Sequence, residues 1–163
     1  MLKDLTEGQI TTYKRLLIHV DGGCEPRNPG GIATCGWVIF NEEKEVLAEE
    51  HRVVQDGGDL ATNNYAEYCS LGFALRWLKD QNWRGTLDIR GDSKLLVEQI
   101  NKRWKCKAPH LIPLRERIWQ YLQEMDLILD ENCTLEWVPR EQNAYADELT
   151  NIAFREYVQN KNL

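Results

Sequence analysis

Long hydrophobic runs are missing from this sequence. No apolar stretch exceeds a few residues, whereas a helix that crosses a bilayer needs about 20, so we expect no membrane span and no membrane partner. The first residues, "MLKDLTEGQITTYKRL", lack the basic start and apolar centre of a secretory signal. Internal repeats and low-complexity tracts are also missing, and 42% hydrophobic with 28% charged residues is typical of one globular domain.

An excess of positive charge is missing as well. Lys and Arg number 20 against 26 Asp and Glu, which gives a net charge of −6. Because nucleic-acid binding depends on neutralising phosphates, this total weakly disfavours it. The segment "NKRWKCK" points the other way, since Trp104 lies among four cations: Lys102, Arg103, Lys105 and Lys107. On its own, this segment is better explained as a solvated helix end with one anchored tryptophan.

The cysteines form no recognisable framework. There are five, an odd number, and their spacing is not that of a metal site. We therefore expect packed thiols and a reducing, cytoplasmic setting rather than disulfides.

Strand-like and helix-like segments fill the chain. Strands are predicted at 14–21, 32–40, 44–54, 86–91 and 133–138, and helices at 64–81, 93–101, 114–126 and 144–158. The short link "NEE" makes the second and third strands an antiparallel hairpin, and strands joined through helices should run parallel. Pro109 and Pro113 are expected to break the chain. We predict an α/β fold with a mixed sheet, a domain over 14–158, an N-terminal extension 1–13 and a tail 159–163.

Asp21 ends the first predicted strand and precedes the glycine-rich stretch "GGCEPRNPGG". An Asp-Gly turn is one interpretation, although the connection to the next strand is too long for a two-residue hairpin. Phosphate-binding loops are excluded, because no Lys-Ser or Lys-Thr follows the last glycine and the glycines lead into a strand rather than a helix. A carboxylate presented for chemistry at a strand end is the remaining interpretation.

Glu67 also has two interpretations. With Asn64 it resembles a capping box at a helix start. Glu67 nevertheless shares one helical face with Leu71, Ala74 and Leu78, and an acid on a face directed at the sheet is costly unless it is compensated. A bound cation would compensate it.

Asp92 and Asp147 taken singly are better explained by helix structure, Asp92 as an N-cap and Asp147 as an acid in a first turn. Together with Asp21 and Glu67 they follow each other at intervals of 46, 25 and 55 residues, at strand ends and helix starts that one fold can bring together. Clustered carboxylates repel each other unless divalent cations bind them. Two such ions about 4 Å apart would activate a water and stabilise the leaving oxygen of a phosphodiester.

Four segments, "VDGGCEPRNPGG", "TNNYAEY", "GDSKLLV" and "WVPREQNAYADELT", in this order and spacing, resemble the ribonuclease H family, type HI. The resemblance implies a five-stranded mixed sheet of order 3-2-1-4-5 and hydrolysis of the RNA strand of RNA/DNA hybrids to 5'-phosphate and 3'-hydroxyl ends. It also implies that Asp21, Glu67, Asp92 and Asp147 are catalytic carboxylates that bind two Mg²⁺ ions, with Mn²⁺ as a substitute.

Ten further residues are expected to contact the nucleic acid, either because they match family positions or because of their chemistry. Amide side chains can read 2'-hydroxyls, small residues allow close backbone approach, and cations or a hydroxyl at a helix start suit phosphates. These residues are Gly22, Gly23, Cys24, Asn28, Thr62, Asn63, Asn64, Lys94, Trp104 and Arg140.

The sequence departs from the family in two informative ways. It has little room for the basic, Trp-rich protrusion that some members carry, so we expect weaker and more salt-sensitive binding of hybrids. The loop before the last carboxylate has Arg140 and Glu141 where many members have a histidine, and an arginine cannot act as a base near neutral pH.

The short loops resemble a bacterial and archaeal subgroup in which some members also cut double-stranded RNA. We expect a monomer. The alternatives are a non-catalytic hybrid- or RNA-binding module and another nuclease of the same superfamily, but none of the four carboxylates is missing.

Overall fold

The computed structural model describes residues 9–161. Its strands are β1 (Arg15–Glu25), β2 (Ile32–Phe40), β3 (Val46–Asp56), β4 (Thr86–Gly91) and β5 (Cys133–Trp137). They form one sheet of order β3-β2-β1-β4-β5, in which β1, β2 and β3 are antiparallel neighbours while β4 and β5 run parallel to β1. The predicted mixed sheet and its strand order are confirmed. Residues 1–8 of the predicted extension and 162–163 of the predicted tail lie outside the described residues.

Within the described residues there are four α-helices: α1 (Asn63–Asp80), α2 (Lys94–Ile100), α3 (Ile112–Glu124) and α4 (Ala144–Lys161). A Cβ on Gly22 would point at α1, whereas one on the next residue, Gly23, would point at α4, so the two helices pack on opposite faces of the sheet. Helix α3 begins before Pro113. The prolines do lie between α2 and the body of α3, and the helix starts two residues earlier than predicted, because a proline in the first turn needs no intrahelical N–H partner.

The main core lies between the sheet and α1 to α3. It contains large buried side chains such as Trp37, Tyr68 and Trp83, and it includes Ile10, which the sequence had suggested belongs to an extension. All five cysteines are buried and free, as predicted. Among the helices of the described chain, none has the length and apolarity that crossing a bilayer requires.

The first strand does not stop at Asp21. Its parallel pairing with β4 ends at Val20, opposite Gly91, but its antiparallel pairing with β2 continues to Glu25. The prediction that residues 22–24 form a loop was therefore wrong. Pairing with a neighbouring strand outweighs the low strand preference of glycine.

Two residues that the sequence offered as helix caps are not caps. Thr62 caps α1 and Ser93 caps α2, each with its hydroxyl oxygen accepting the N–H of the residue three positions on, at 3.0 and 3.2 Å. The capping box of Asn64 and Glu67 and the capping role of Asp92 are thus wrong. Because hydroxyl residues cap both helices, the two acids are left for another role.

Candidate active site

Three carboxylates meet where β1, β4 and α1 come together. Asp21, Glu67 and Asp92 each offer a carboxylate oxygen, and these oxygens all lie within 4.8 Å of one another. Asp21 and Glu67 are only 4% and 2% exposed, and Asp92 directly follows β4. The structure thus brings together three of the four acids that the sequence singles out.

Gly22 makes this approach possible. A Cβ at this position would lie 2.4 Å from the backbone nitrogen of Glu67 and 2.5 Å from the carbonyl carbon of Ala66. Only glycine therefore lets the first turns of α1 lie directly on β1 beside Asp21. On the side where a Cβ would point, the space next to Gly22 is taken by α1.

Burial and mutual repulsion dominate the electrostatics of the cluster. Burial raises the pKa of Asp21 well above its usual range, and the charges of Glu67 and Asp92 raise it further. The pKa of Glu67 is also raised, again first by burial and then by Asp92. Without a nearby positive charge, the protonated forms of these two carboxyls are favoured.

One oxygen of the cluster has no partner. Oε2 of Glu67 is buried and accepts no hydrogen bond from any residue between 9 and 161. A buried acceptor left unpaired costs about 1–3 kcal/mol, and more if it is charged. A hard divalent cation takes carboxylate oxygens as ligands and also reverses the repulsion, so the residues present fit such an ion.

Asp147 lies in the first turn of α4 and lines the same pocket as the other three acids. We call the space between Asp21, Glu67, Asp92 and Asp147 the carboxylate pocket. Asp147 does not belong to the group whose oxygens lie within 4.8 Å of one another. Its Oδ1 instead lies 3.5 Å from Nη2 of Arg140, whose side chain is 76% exposed at the pocket wall.

Asn143 is a site residue that the sequence reasoning missed. It is fully buried and donates its side-chain N–H to the carbonyl of Val20 at 2.8 Å. Its Oδ1 lies 3.2 Å from Nδ1 of His19, and its backbone carbonyl accepts the N–H of Asp147 at 3.0 Å. In the sequence, its position just before a helix that carries an acid in its first turn was the sign that Asn143 belongs to the site.

Trp137 was also missed. It ends β5, is 49% exposed, lines the carboxylate pocket and donates its indole N–H to the carbonyl of Asp92 at 3.2 Å. Because parallel strands end at one edge of a sheet, an aromatic residue at the end of β5 could have been placed near Asp92 from the sequence.

A cluster of polar residues lies on the β2 side of the pocket. Asn28 accepts the backbone N–H of Asn63 through its Oδ1 at 3.1 Å, and Thr62 immediately precedes Asn63. Cys24 is buried, and its thiol donates to the carbonyls of Arg27 at 2.9 Å and of nearby Ala61 at 3.1 Å.

The other predicted nucleic-acid contacts are dispersed. Of the ten, the residues that line the carboxylate pocket are Gly22, Gly23, Asn63 and Arg140. Asn64, Lys94 and Trp104 are exposed and are not among the described residues that line the carboxylate pocket.

The basic segment around Trp104 is partly engaged within the fold. Arg103 forms two hydrogen bonds with the carboxylate of Glu98, at 2.7 and 2.9 Å. The ammonium of Lys102 lies 4.8 Å from the centre of the Trp119 ring.

A family model described as "Reverse transcriptase-like" matches residues 19–153. Among curated relatives, the bifunctional protein Rv2228c of Mycobacterium tuberculosis is 37% identical over 142 residues, which cover 85% of this chain and 35% of that protein. Ribonuclease HI of Halobacterium salinarum is 34% identical over 134 residues, covering 80% of this chain and 60% of the relative. The chain thus spans only part of the length of these relatives.

Three solved structures match this fold over almost their full length. The N-terminal RNase H domain of Rv2228c is 33% identical with a TM-score of 0.77, covering 90% of this chain and 98% of that one. RNase H1 of Halobacterium salinarum is 31% identical with a TM-score of 0.74, covering 87% and 98%. LC11-RNase H1, solved in complex with an RNA/DNA hybrid, is 32% identical with a TM-score of 0.76, covering 88% and 99%.

Proposed function

Because the chain belongs to the reverse transcriptase-like family and is similar throughout to type 1 ribonucleases H, we propose that it is a metal-dependent endonuclease that hydrolyses the RNA strand of RNA/DNA hybrids. The observation that carries this proposal is the cluster of the buried Asp21 and Glu67 with the half-buried Asp92. Their oxygens lie within 4.8 Å of one another and include an unpaired oxygen of Glu67.

In this proposal the four carboxylates bind the metal from different elements of the fold. Asp21, Glu67 and Asp92 would bind the metal from the sheet and α1, and Asp147 would complete the site from α4. Two Mg²⁺ ions held by these carboxylates, or Mn²⁺ in their place, would supply an activated water and a counter-charge for the leaving oxygen, consistent with 5'-phosphate and 3'-hydroxyl products. Arg140, beside Asp147, would contact a substrate phosphate, and its permanent charge excludes a role as base.

RNA would be recognised through its 2'-hydroxyls on the side of Asn28 and Asn63, where amide groups offer both donors and acceptors. The Thr62 hydroxyl accepts a backbone N–H, so its own proton remains available to a phosphate of the DNA strand. Double-stranded RNA also carries 2'-hydroxyls and is a second candidate substrate.

The remaining predicted contacts have supporting roles in this proposal. The short residues Gly23 and Cys24 lie along β1 next to the pocket, while Asn64, Lys94 and Trp104 would contact the duplex further out. We also propose that the protein acts as a cytoplasmic monomer.

The test is a cleavage panel with the purified protein. Labelled RNA/DNA hybrid, RNA duplex, DNA duplex and single strands are incubated with Mg²⁺, Mn²⁺ or chelator. We expect hybrid cleavage that requires metal and falls by at least about 100-fold in Asp92→Asn. Such a fall corresponds to the loss of about 3 kcal/mol of transition-state stabilisation, at about 1.4 kcal/mol for each tenfold in rate.

Asp88→Asn is the matched control. Asp88 lies on β4, the strand that ends just before Asp92. Its carboxylate pairs with Arg15 at 2.9 Å, so this variant should cut normally. If the hybrid is bound but never cut, the chain is a non-catalytic binding module and the proposal is wrong.

A further inference from the structure

The side-chain amide of Asn143 is bound at its two ends by two successive residues of β1. Its nitrogen donates to the backbone carbonyl of Val20 at 2.8 Å, and its oxygen lies 3.2 Å from Nδ1 of His19. Because a carbonyl only accepts hydrogen bonds, the amide must direct its NH₂ group to Val20 and therefore its oxygen to His19. The partners of the amide thus determine its orientation.

This orientation determines which ring nitrogen of His19 carries the hydrogen. A neutral imidazole has one N–H and one bare nitrogen. The oxygen of Asn143 only accepts, so Nδ1 must carry the hydrogen. Neutral histidine in water prefers the opposite tautomer, with the hydrogen on Nε2. In that form the lone pair of Nδ1 would face the amide oxygen, and Asn143, which is fully buried, would lose this donor.

The ring of His19 is held in place by the sheet and by aromatic packing. Its backbone lies in the central strand, where it pairs with Val38 of β2 and with Arg90 of β4. Its ring packs against that of Phe40, with the ring centroids 5.5 Å apart and the planes at 81°. Phe40 packs in turn against Tyr145 in the first turn of α4, at 5.8 Å between centroids. The donor is therefore oriented by contacts that need no ligand.

Asn143 connects this donor to the last acid of the carboxylate pocket. Its backbone carbonyl accepts the N–H of Asp147 at 3.0 Å, and its own backbone N–H donates to the carbonyl of Arg140 at 2.9 Å. Asp147 does not belong to the close group formed by the other three acids. Its position in the pocket therefore depends on where α4 begins, and Asn143 fixes that point.

We propose that His19 is a positioning residue for the ribonuclease reaction: held as the Nδ1–H tautomer, it fixes the amide of Asn143 and, through it, the place of Asp147 in the carboxylate pocket. The effect on cleavage rests on the proposed ribonuclease function, whereas the tautomer does not. Because Asp147 would bind metal rather than hold the duplex, loss of the donor should lower kcat and leave KM unchanged.

The tautomer is measured by NMR on isotope-labelled protein with chelator and no substrate, from the nitrogen shifts of the imidazole rings at about pH 8, where an ordinary histidine is neutral. The signal of His19 is the one that His19→Asn removes. His51 is the internal reference, because its Nε2 lies 2.7 Å from a carboxylate oxygen of Glu156, which only accepts. We expect Nδ1–H for His19 and Nε2–H for His51.

Asn143→Ala removes the acceptor, so His19 should shift towards the Nε2–H form, while His51 should not change. An Nε2–H tautomer of His19 in the unaltered protein overturns the proposal. A tautomer of His19 that is the same with and without the Asn143 amide also overturns it, because another contact would then place the hydrogen.

Steady-state cleavage tests the consequence for the reaction. His19→Leu removes the donor and should lower kcat by about 5- to 50-fold, with a change in KM of less than about 2-fold. His19→Asn keeps an N–H near the position of Nδ1 and should recover most of kcat. His51→Leu is the matched control, because His51 also lies on a strand and bonds to α4, but at Glu156, far from its first turn. It should leave kcat unchanged.

An unchanged kcat in His19→Leu overturns the positioning role, and so does a loss that His19→Asn does not recover, since that would indicate packing of the ring rather than the hydrogen bond. If His19→Leu does not fold, the tautomer and its response to Asn143→Ala decide. If the unaltered protein cuts no hybrid, the proposed function fails, whereas the tautomer still shows whether His19 fixes Asn143.

Discussion

Asn143 donates its side-chain N–H to the backbone carbonyl of Val20 across 2.8 Å, although 123 positions separate them in the sequence. Val20 immediately precedes Asp21, and the Asn143 carbonyl accepts the N–H of Asp147. One buried amide therefore fixes the helix that carries the last acid to the strand that carries the first.

Asn143→Ala should both destabilise the protein and slow cleavage. It leaves the carbonyl of Val20 buried without a donor, which costs about 1–3 kcal/mol in the free energy of unfolding. Because Asp147 loses its fixed position, kcat should fall by about 10- to 100-fold. Denaturant unfolding and steady-state hybrid cleavage measure the two effects.

Asn101→Ala is the control for that variant. Asn101 also donates its amide N–H to a backbone carbonyl, that of Leu135, at 2.8 Å, but this bond joins the end of α2 to β5 rather than β1 to α4. It should lower stability while leaving kcat unchanged. A similar loss of kcat in both variants would show that general destabilisation, and not the position of Asp147, is responsible.

Gly22→Ala should destabilise the protein by at least about 2 kcal/mol. The added methyl group would meet backbone atoms of Ala66 and Glu67, which cannot rotate away, so α1 must shift. Gly23→Ala is the matched control, because its nearest neighbours are side-chain atoms at 3.6 and 3.8 Å. It should change stability by less than about 1 kcal/mol, and equal effects of the two substitutions would contradict the close packing of α1.

In the presence of chelator, the stability contributed by the cluster should fall as the pH rises. Asp21 and Glu67 have pKa values raised above their ordinary 3.8 and 4.5, so above about pH 4 the folded state holds more protons than the unfolded state. Added Mg²⁺ or Mn²⁺ should therefore raise the melting temperature more at about pH 8 than at about pH 5.5.

Glu67→Gln tests the cause of that pH dependence. The variant removes one buried acid, so with chelator its melting temperature should depend less on pH and rise less on addition of metal. A pH profile identical to that of the unaltered protein would show that the carboxylate cluster is not its source.

Arg140→Ala should raise KM on hybrids of any sequence, because a phosphate contact carries no base preference. The slope of log affinity against log salt concentration should fall by about 1. Arg140→Lys keeps the charge but loses the two-pronged geometry, so it should restore the slope and recover KM only in part. A fall in kcat with unchanged KM would instead place Arg140 in product release.

The sequence pattern was sufficient for the sheet and for the convergence of Asp21, Glu67 and Asp92. Strand order followed from the resemblance, and the acids stood out because Glu67 lies on an apolar helical face. These features depend on periodicity and position at element ends, which are local properties of the chain.

The failures concern contacts between distant segments. Gly22 was placed after the end of the first strand, but the strand continues through it because residues 21–25 pair with β2. Asn143 and Trp137 could be placed near the site by their positions at element ends, but the hydrogen bonds that give them their roles could not be predicted, because each uses a backbone carbonyl supplied by another element. Such contacts become visible only when the elements are assembled.

The walls of the carboxylate pocket come from β1, α1, the end of β4, and α4, which are distributed over most of the chain. If any one of them is unfolded, the pocket does not exist. Recovery of cleavage during refolding should therefore follow the assembly of these elements rather than the first appearance of helices.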